Sequence, residues 1–263
     1  MMPEAAADDL LDAAWALGIR NFDTAEAYGA SATRLSNWLI KCDHLGSAHV
    51  ITKIATTVRR EHLRSEATDA ISKFRGARKI TLLSHGPIHG DNWRLICAAA
   101  AAAGARAGQS VYERDEVSDA WSLEGVSVVQ APANVFDSRA MIASTDDSRE
   151  MHYRSVFLQG LLLEDPTVAE ARVPGSGRLA RAVWQAAAMI GVSAAALLAA
   201  AILRTSRLGD RIVLGADGPE DLGAIALAME VGPEEVDEFL NQISKVPAAP
   251  PTVLDPRKWD RRL

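Results

Sequence analysis

Residues 18–29 read Gly18-Ile19-Arg20-Asn21-Phe22-Asp23-Thr24-Ala25-Glu26-Ala27-Tyr28-Gly29. A short β-prone run over 19–23 ends on an acid, and a turn carrying a phenol follows it directly. Two later runs end in the same manner. Val50-Ile51-Thr52-Lys53 delivers an ammonium and Thr81-Leu82-Leu83-Ser84-His85 an imidazole. If these runs are neighbouring parallel strands, a carboxylate, a phenol, an ammonium and an imidazole converge at one end of a sheet.

The surrounding pattern supplies such a sheet. Ahead of the quoted stretch, Leu10, Ala13, Ala14 and Leu17 recur at helical spacing, with Gly18 where a helix stops. Beyond it, β-prone runs recur near residues 49–53, 79–84, 105–111, 126–130, 153–158 and 211–214. Helical patterns at 62–74, 92–103, 115–123 and 178–190 separate them. Strands alternating with helices at intervals of one βα unit predict an α/β chain built as a (β/α)8 TIM barrel, in preference to an open doubly wound sheet.

The count nevertheless reaches seven strands including 19–23, and too few residues precede the opening helix for another. The expectation is therefore an incomplete barrel with its first strand missing. An unpartnered neighbour in such a barrel exposes backbone donors and acceptors, which predicts low stability or poor cofactor affinity. The alanine tracts at 98–103 and 194–201 fall where barrel helices are due and read as helix formers. Residues 1–263 are expected to form a single domain, with 245–263 as a C-terminal tail running from a Pro-rich link to Asp255-Pro256-Arg257-Lys258-Trp259 and packing back on the barrel.

Composition narrows the function classes. The chain has 263 residues, 48% hydrophobic and 24% charged, enough for a substantial core. A net charge of −6 and a pI near 5.6 offer no broad attraction to nucleic acid or to an anionic membrane surface. Cys42 and Cys97 have no ligand-type spacing, so neither a disulfide framework nor a zinc site is predicted. The N-terminus is acidic where a secretory leader is basic, and the apolar run 194–203 is about half the roughly 20 residues of a membrane span. A cytoplasmic protein without nucleic-acid or membrane partners is the expectation.

Taken singly, each of the four polar groups has an ordinary explanation. A tyrosine before glycine packs a turn, an aspartate at a strand end caps a helix, and a lysine is solvated. Their joint arrival at successive strand ends is what points to chemistry, because barrel loops converge on the carboxyl ends of the strands. Free tyrosine titrates at about 10, so a phenol that donates a proton at neutral pH needs a cation beside it. Lys53 can supply that charge, Asp23 can hold it protonated against desolvation, and His85 can orient a carbonyl oxygen.

These residues carry a family resemblance. Phe-Asp-Thr-Ala-x-x-Tyr-Gly-x-Ser at 22–31, Thr52-Lys53, Ser84-His85, Gly108-Gln109-Ser110, Val129-Gln130 and Leu214-Gly215 occur in order, and the chain resembles the aldo-keto reductases from about residue 5 to its tail. Arg154-Ser155-Val156-Phe157-Leu158-Gln159-Gly160-Leu161-Leu162 and the Asp255–Trp259 ending are similar to a bacterial branch of that family. The resemblance implies a catalytic tetrad of Asp23, Tyr28, Lys53 and His85, with Tyr28 as proton donor. It also implies a nicotinamide cofactor, NADPH or NADH, whose carboxamide is held by Ser110 and Gln130, with Arg154 beside the ring. Val111 stands where the family commonly has Asn. Gly215, Asp217 and Asp221 fall in the segment where many members carry basic residues for a 2′-phosphate. The acids read either as helix-start carboxylates or as a weakening of NADPH preference.

Other signals are set aside. Gly175-Ser176-Gly177-Arg178-Leu179-Ala180 has the spacing of a dinucleotide fingerprint, but no clear strand precedes it and no acid follows at the required distance. His85 and His89 share helical spacing across Gly86, Pro87 and Gly90, which preclude a regular helix, so no metal is predicted. The leading expectation is a reductase for a small-molecule aldehyde or ketone, or the reverse oxidation of an alcohol. The alternatives are a non-redox lyase or dehydratase using the same Tyr28, Lys53 and His85, and a catalytically impaired truncated homologue. Substrate identity and oligomeric state stay open at the level of sequence.

Overall fold

The computed structural model describes residues 3–142 and 144–259. These fall into two compact units, one comprising residues up to Ala131 with Ile142–His152, the other Pro132–Met141 with the chain from Tyr153 onward.

In the first unit, α1 (Glu4–Ala16) leads to β1 (Asn21–Asp23), α2 (Ser31–Lys41), β2 (His49–Ile54), α3 (Arg60–Ser72) and β3 (Lys79–Ser84). Next come α4 (Gly90–Ala102), β4 (Arg106–Ser110), α5 (Arg114–Ser122) and β5 (Val126–Pro132). β1 through β5 pair in parallel, each with the next in sequence. β6 (Glu150–Arg154) and β7 (Arg211–Ile212) continue the sheet order. Parallel strands in chain order joined by helices are the progression of a (β/α)8 barrel, here incomplete with seven strands among the described residues. β1 and β7 stand at the two ends of the order.

Strand periodicity sorts the side chains of the first unit into layers, because alternate residues point to one face. Registers Lys53↔Leu83, Leu83↔Gly108, Gly108↔Val128 and Ser110↔Gln130 pair residues that share one face of the sheet. The middle layer is apolar, a cluster of Ile51, Leu83 and Val128, all nearly without solvent contact. Gly108 belongs to it by necessity. A Cβ there would stand 2.0 Å from the Val128 carbonyl oxygen and 2.7 Å from Leu83 Cδ2, so any side chain would force β5 away.

The layer at the strand starts is polar. His49 bridges Asn21 and Thr81 at 2.9 Å each, and Glu150 gathers Lys79, Arg106 and His152. The pairing of β4 with β5 slips between Ala107 and Gly108, leaving Ser127 as an extra residue, and Arg106 also donates to the Ser127 carbonyl at 2.9 Å. Burial by itself would raise the Glu150 pKa. The hydrogen bonds from His152 and Arg106, and the charges of Arg106 and Lys79, outweigh it and hold the carboxyl well below the usual range. A depressed folded-state pKa contributes stability above the ordinary value of 4.5 and loses it as pH falls. Glu150→Gln should therefore lower unfolding free energy at neutral pH by about 2 kcal/mol, with wild-type and variant values converging in acid. Urea unfolding at a series of pH values measures both.

Helix ends obey local rules. In α5, Glu116 accepts from the backbone N–H groups of Tyr112 and Glu113. α1 is tied to α2 by a 2.9 Å hydrogen bond from Trp38 Nε1 to Asp12, over an aromatic cluster in which Trp15 and Phe22 stack.

The second unit contains α6 (Pro166–Arg172), α7 (Gly177–Ile190), α8 (Ala194–Thr205), α9 (Pro219–Ala226) and α10 (Pro233–Ser244). Asp165 caps α6 and Ser193 caps α8. Residues 191–193 separate α7 from α8, with Gly191 in the left-handed conformation. The tail packs within this unit. Arg178 donates to the carbonyls of Pro247 and Ala248, and Trp259 Nε1 donates to the Val253 carbonyl. The final residues of the predicted tail, 260–263, lie outside the described residues. No single helix among the described residues is long and apolar enough to cross a membrane.

Candidate active site

The sixth strand differs from the expectation of 153–158 and runs Glu150–Arg154, followed by turns through Leu163. Val156, Phe157 and Leu158 are apolar enough to read as strand. Ser155, Leu158 and Gln159 instead take positive φ, which an extended strand does not admit. Three non-glycine residues in this conformation within five positions mark a segment whose path is set by its surroundings, a pattern common at functional loops. Arg154 ends β6 with its guanidinium 3.4 Å from Ser155 Oγ.

The layer at the carboxyl ends of β1 to β5 holds the predicted polar residues. Asp23 ends β1, Lys53 lies near the end of β2, His85 follows β3, Ser110 ends β4 and Gln130 lies in β5. All point into the same face by alternation. Lys53 is 1% exposed, and its ammonium donates to the Asp23 carboxylate and, at 3.1 Å, to the Thr24 carbonyl. A buried ammonium needs such partners to stay charged. The other oxygen of Asp23 accepts from Gln130 Nε2 at 2.8 Å, and Gln130 Oε1 accepts from Ser110 Oγ at 3.0 Å. One chain of hydrogen bonds thus runs from Ser110 through Gln130 and Asp23 to Lys53.

Tyr28 sits in a single 3₁₀ turn, Glu26–Tyr28, closed by Tyr28 N–H donating to the Ala25 carbonyl and followed by Gly29 at φ +63°. Its ring lies above the ammonium, with Lys53 Nζ 5.3 Å from the ring centroid. The His85 ring meets it edge-on at 5.7 Å. Tyr28 is 48% exposed and His85 is exposed, whereas Lys53 is not. The arrangement is a solvent-reachable phenol and imidazole over a buried cation, suited to handing a proton to a bound oxygen.

Two supporting residues carry no chemical signature in the sequence. Gln109 points to the opposite face of β4, fully buried, and donates to the Ile88 carbonyl at 2.6 Å, pinning the loop that follows His85. Thr24 contributes its carbonyl to Lys53 and pairs its hydroxyl with Ser31 at 3.0 Å. Their roles depend on where loops return, which local spacing does not encode. Val111, where the family commonly has Asn, is buried apolar packing.

Asp217 and Asp221 lie in the second unit, at the start of α9. The Asp221 carboxylate accepts from the backbone N–H groups of Asp217 at 2.9 Å and Gly218 at 3.2 Å, a helix-start cap. A Cβ added at Gly215 would meet nothing within 4 Å. The fingerprint-like run at 175–180 opens α7, and Glu170 accepts from Gly175 and Gly177 N–H, occupying the donors a phosphate would need. Both cysteines are free, and desolvation pushes the Cys97 thiol up to about 11. Among the described residues, no group of three or more His, Cys, Asp or Glu could hold a metal ion.

No family model and no curated protein matches the chain. Solved structures do. The glycerol dehydrogenase AKR11B4 from Gluconobacter oxydans superposes with TM-score 0.73 at 19% identity, over 95% of this chain and 90% of that one. The aldo-keto reductase AKR11C1 from Bacillus halodurans, in its holo form, gives 0.66 at 15% identity over 92% and 88%. An aldo-keto reductase from Brucella melitensis gives 0.68 at 14% over 92% and 90%. Likeness at these identities establishes the fold, that of the (β/α)8 barrels.

Proposed function

We propose that this chain is an NAD(P)H-dependent aldo-keto reductase that reduces a small-molecule aldehyde or ketone to an alcohol, with Tyr28 as the proton donor. The observation that carries the reading is the buried Lys53–Asp23 ion pair beneath the Tyr28 ring, with His85 against its edge. The likeness of the fold to aldo-keto reductases supports it.

The roles derive from the surroundings of each group. Lys53 brings a positive charge to the phenol and favours the phenolate that remains when the proton leaves. Asp23 keeps that charge in place in a site where burial works against it. His85 is positioned at the open side, where its ring can donate to the carbonyl oxygen and set its angle toward Tyr28 Oη. The proton held at Oη passes to that oxygen as negative charge develops there.

A nicotinamide supplies the hydride when bound. Residues that would hold it fit that chemistry. Gln130 uses one N–H and one lone pair in its described bonds, and an amide side chain offers two of each, so complementary capacity for a carboxamide remains beside Ser110. Arg154 and Gly215, in the second unit, are the further residues that the resemblance assigns to the cofactor.

No lysine or arginine occurs in residues 215–221, and Asp217 is exposed. A 2′-phosphate at this segment would gain nothing from it, so NADPH and NADH are expected to bind within about tenfold of each other, a difference of about 1.4 kcal/mol. Fluorescence titration with each nucleotide, followed by absorbance assays against a panel of aldehydes and ketones, tests both parts. Strong NADPH selectivity would overturn the expected near-equality of the two nucleotides. Carbonyl or alcohol turnover without a change in nicotinamide absorbance would overturn the reductase reading in favour of a lyase.

A further inference from the structure

We infer that Gln130 is a positioning residue for the proton-donating site: its amide holds Asp23 so that the Asp23–Lys53 pair stays beneath Tyr28, linking the state of the phenol to a side chain carried by β5. The inference deepens the reading of Tyr28 as the acid and rests on it.

The geometry is specific. A carboxylate has two oxygens, and only one of those on Asp23 faces Lys53. The other is met by Gln130 Nε2 at 2.8 Å, from a residue 107 positions away in sequence and 1% exposed. Ser110 Oγ donates to the Gln130 carbonyl oxygen at 3.0 Å, which orients the amide so that its N–H side must point at Asp23. Ser110 is 3% exposed, so both ends of this link are shielded from water. A hydrogen bond to a charged acceptor in such surroundings constrains the carboxylate torsion more firmly than one to a neutral group.

Without the Gln130 donor, the carboxylate can rotate about its terminal bond and share its charge differently with Lys53. The phenol would register that change. Tyr28 is faced by Lys53 from β2 and by His85 after β3, with Asp23 from β1 behind the lysine. Glu26, in the same turn as Tyr28, is engaged with Lys73. Asp23 is the charged group of this set that Gln130 touches, so its effect on Tyr28 should pass through Asp23.

The test is an ultraviolet titration of tyrosinate formation in the cofactor-free protein, with the Tyr28 component isolated by subtracting Tyr28→Phe. Gln130→Met keeps the side-chain length and removes both polar atoms. It should displace the Tyr28 titration by about half a unit or more. The double variant with Asp23→Asn should titrate like Asp23→Asn alone. Ser110→Ala, which removes a single hydroxyl and leaves Gln130 in place, should move the titration in the sense of Gln130→Met but by less, and serves if Gln130→Met does not fold. A wild-type titration in Gln130→Met, or in Ser110→Ala where that is the folded variant, overturns the inference. So does a Gln130→Met shift that adds in full to that of Asp23→Asn. Neither nicotinamide nor turnover enters the measurement, so absence of reductase activity would count against the proposed function and leave this result to be judged separately.

Discussion

Tyr28→Phe is expected to lower kcat for the proposed carbonyl reduction by about 10²- to 10⁴-fold, the usual contribution of a positioned general acid. The substitution keeps the ring that covers the Lys53 ammonium at 5.3 Å and meets His85 at 5.7 Å, and removes only the hydroxyl that carries the proton. Folding should be unaffected, because Tyr28 is 48% exposed and its turn is closed by backbone. Nucleotide affinity should likewise stay within a few-fold of wild type, since Tyr28 is not among the proposed cofactor contacts. Steady-state kinetics and a nucleotide titration on the same preparation separate the two quantities. A variant with wild-type kcat would mean that the proton reaches the oxygen from elsewhere, and the assignment of Tyr28 would fail.

Lys53→Met is expected to lower unfolding free energy by about 3 kcal/mol, the lower end of the cost of deleting one partner of a buried ion pair. The mechanism is electrostatic. Methionine fills the volume of the lysine stem, but Asp23 then keeps its carboxylate in a largely enclosed position without the cation, and the Thr24 carbonyl loses its donor. Asp23 retains the Gln130 hydrogen bond and 15% side-chain exposure, which is why the smaller end of the range is expected. The combined Lys53→Met and Asp23→Asn variant should recover part of the loss, because the stranded charge is gone. Equilibrium urea unfolding of the three variants reads the effect as a midpoint shift at constant slope. Equal stability of Lys53→Met and wild type would show that the ammonium is not the neutralising partner of Asp23.

Much of the candidate site was legible because its members are short-range signals. Asp23 and Tyr28 fall within one strand and its turn. Lys53 and His85 close β-branched or leucine-rich runs, which places them at strand ends. The sixth strand was legible in position and misread in extent. Val156, Phe157 and Leu158 have strand composition, and what removes them from β6 is a left-handed backbone at Ser155, Leu158 and Gln159 that no side chain announces. The helix-start acids after β7 were open to two readings. The bonds Asp221 accepts from Asp217 and Gly218 fit the capping one.

The sequence by itself determined the βα rhythm, the identity of the polar groups at the strand ends and the chemistry those groups can perform, because periodicity and residue type are local properties. The tertiary structure alone decided how they are wired. Gln130 meets Asp23 across 107 positions, and the Glu150 cluster joins residues from β3, β4 and β6. Gly108 is required by the approach of a carbonyl from the next strand. Such relations depend on strand register and on the slip opposite Ser127, which are set when whole strands pack against one another and leave no mark in the spacing of any single run.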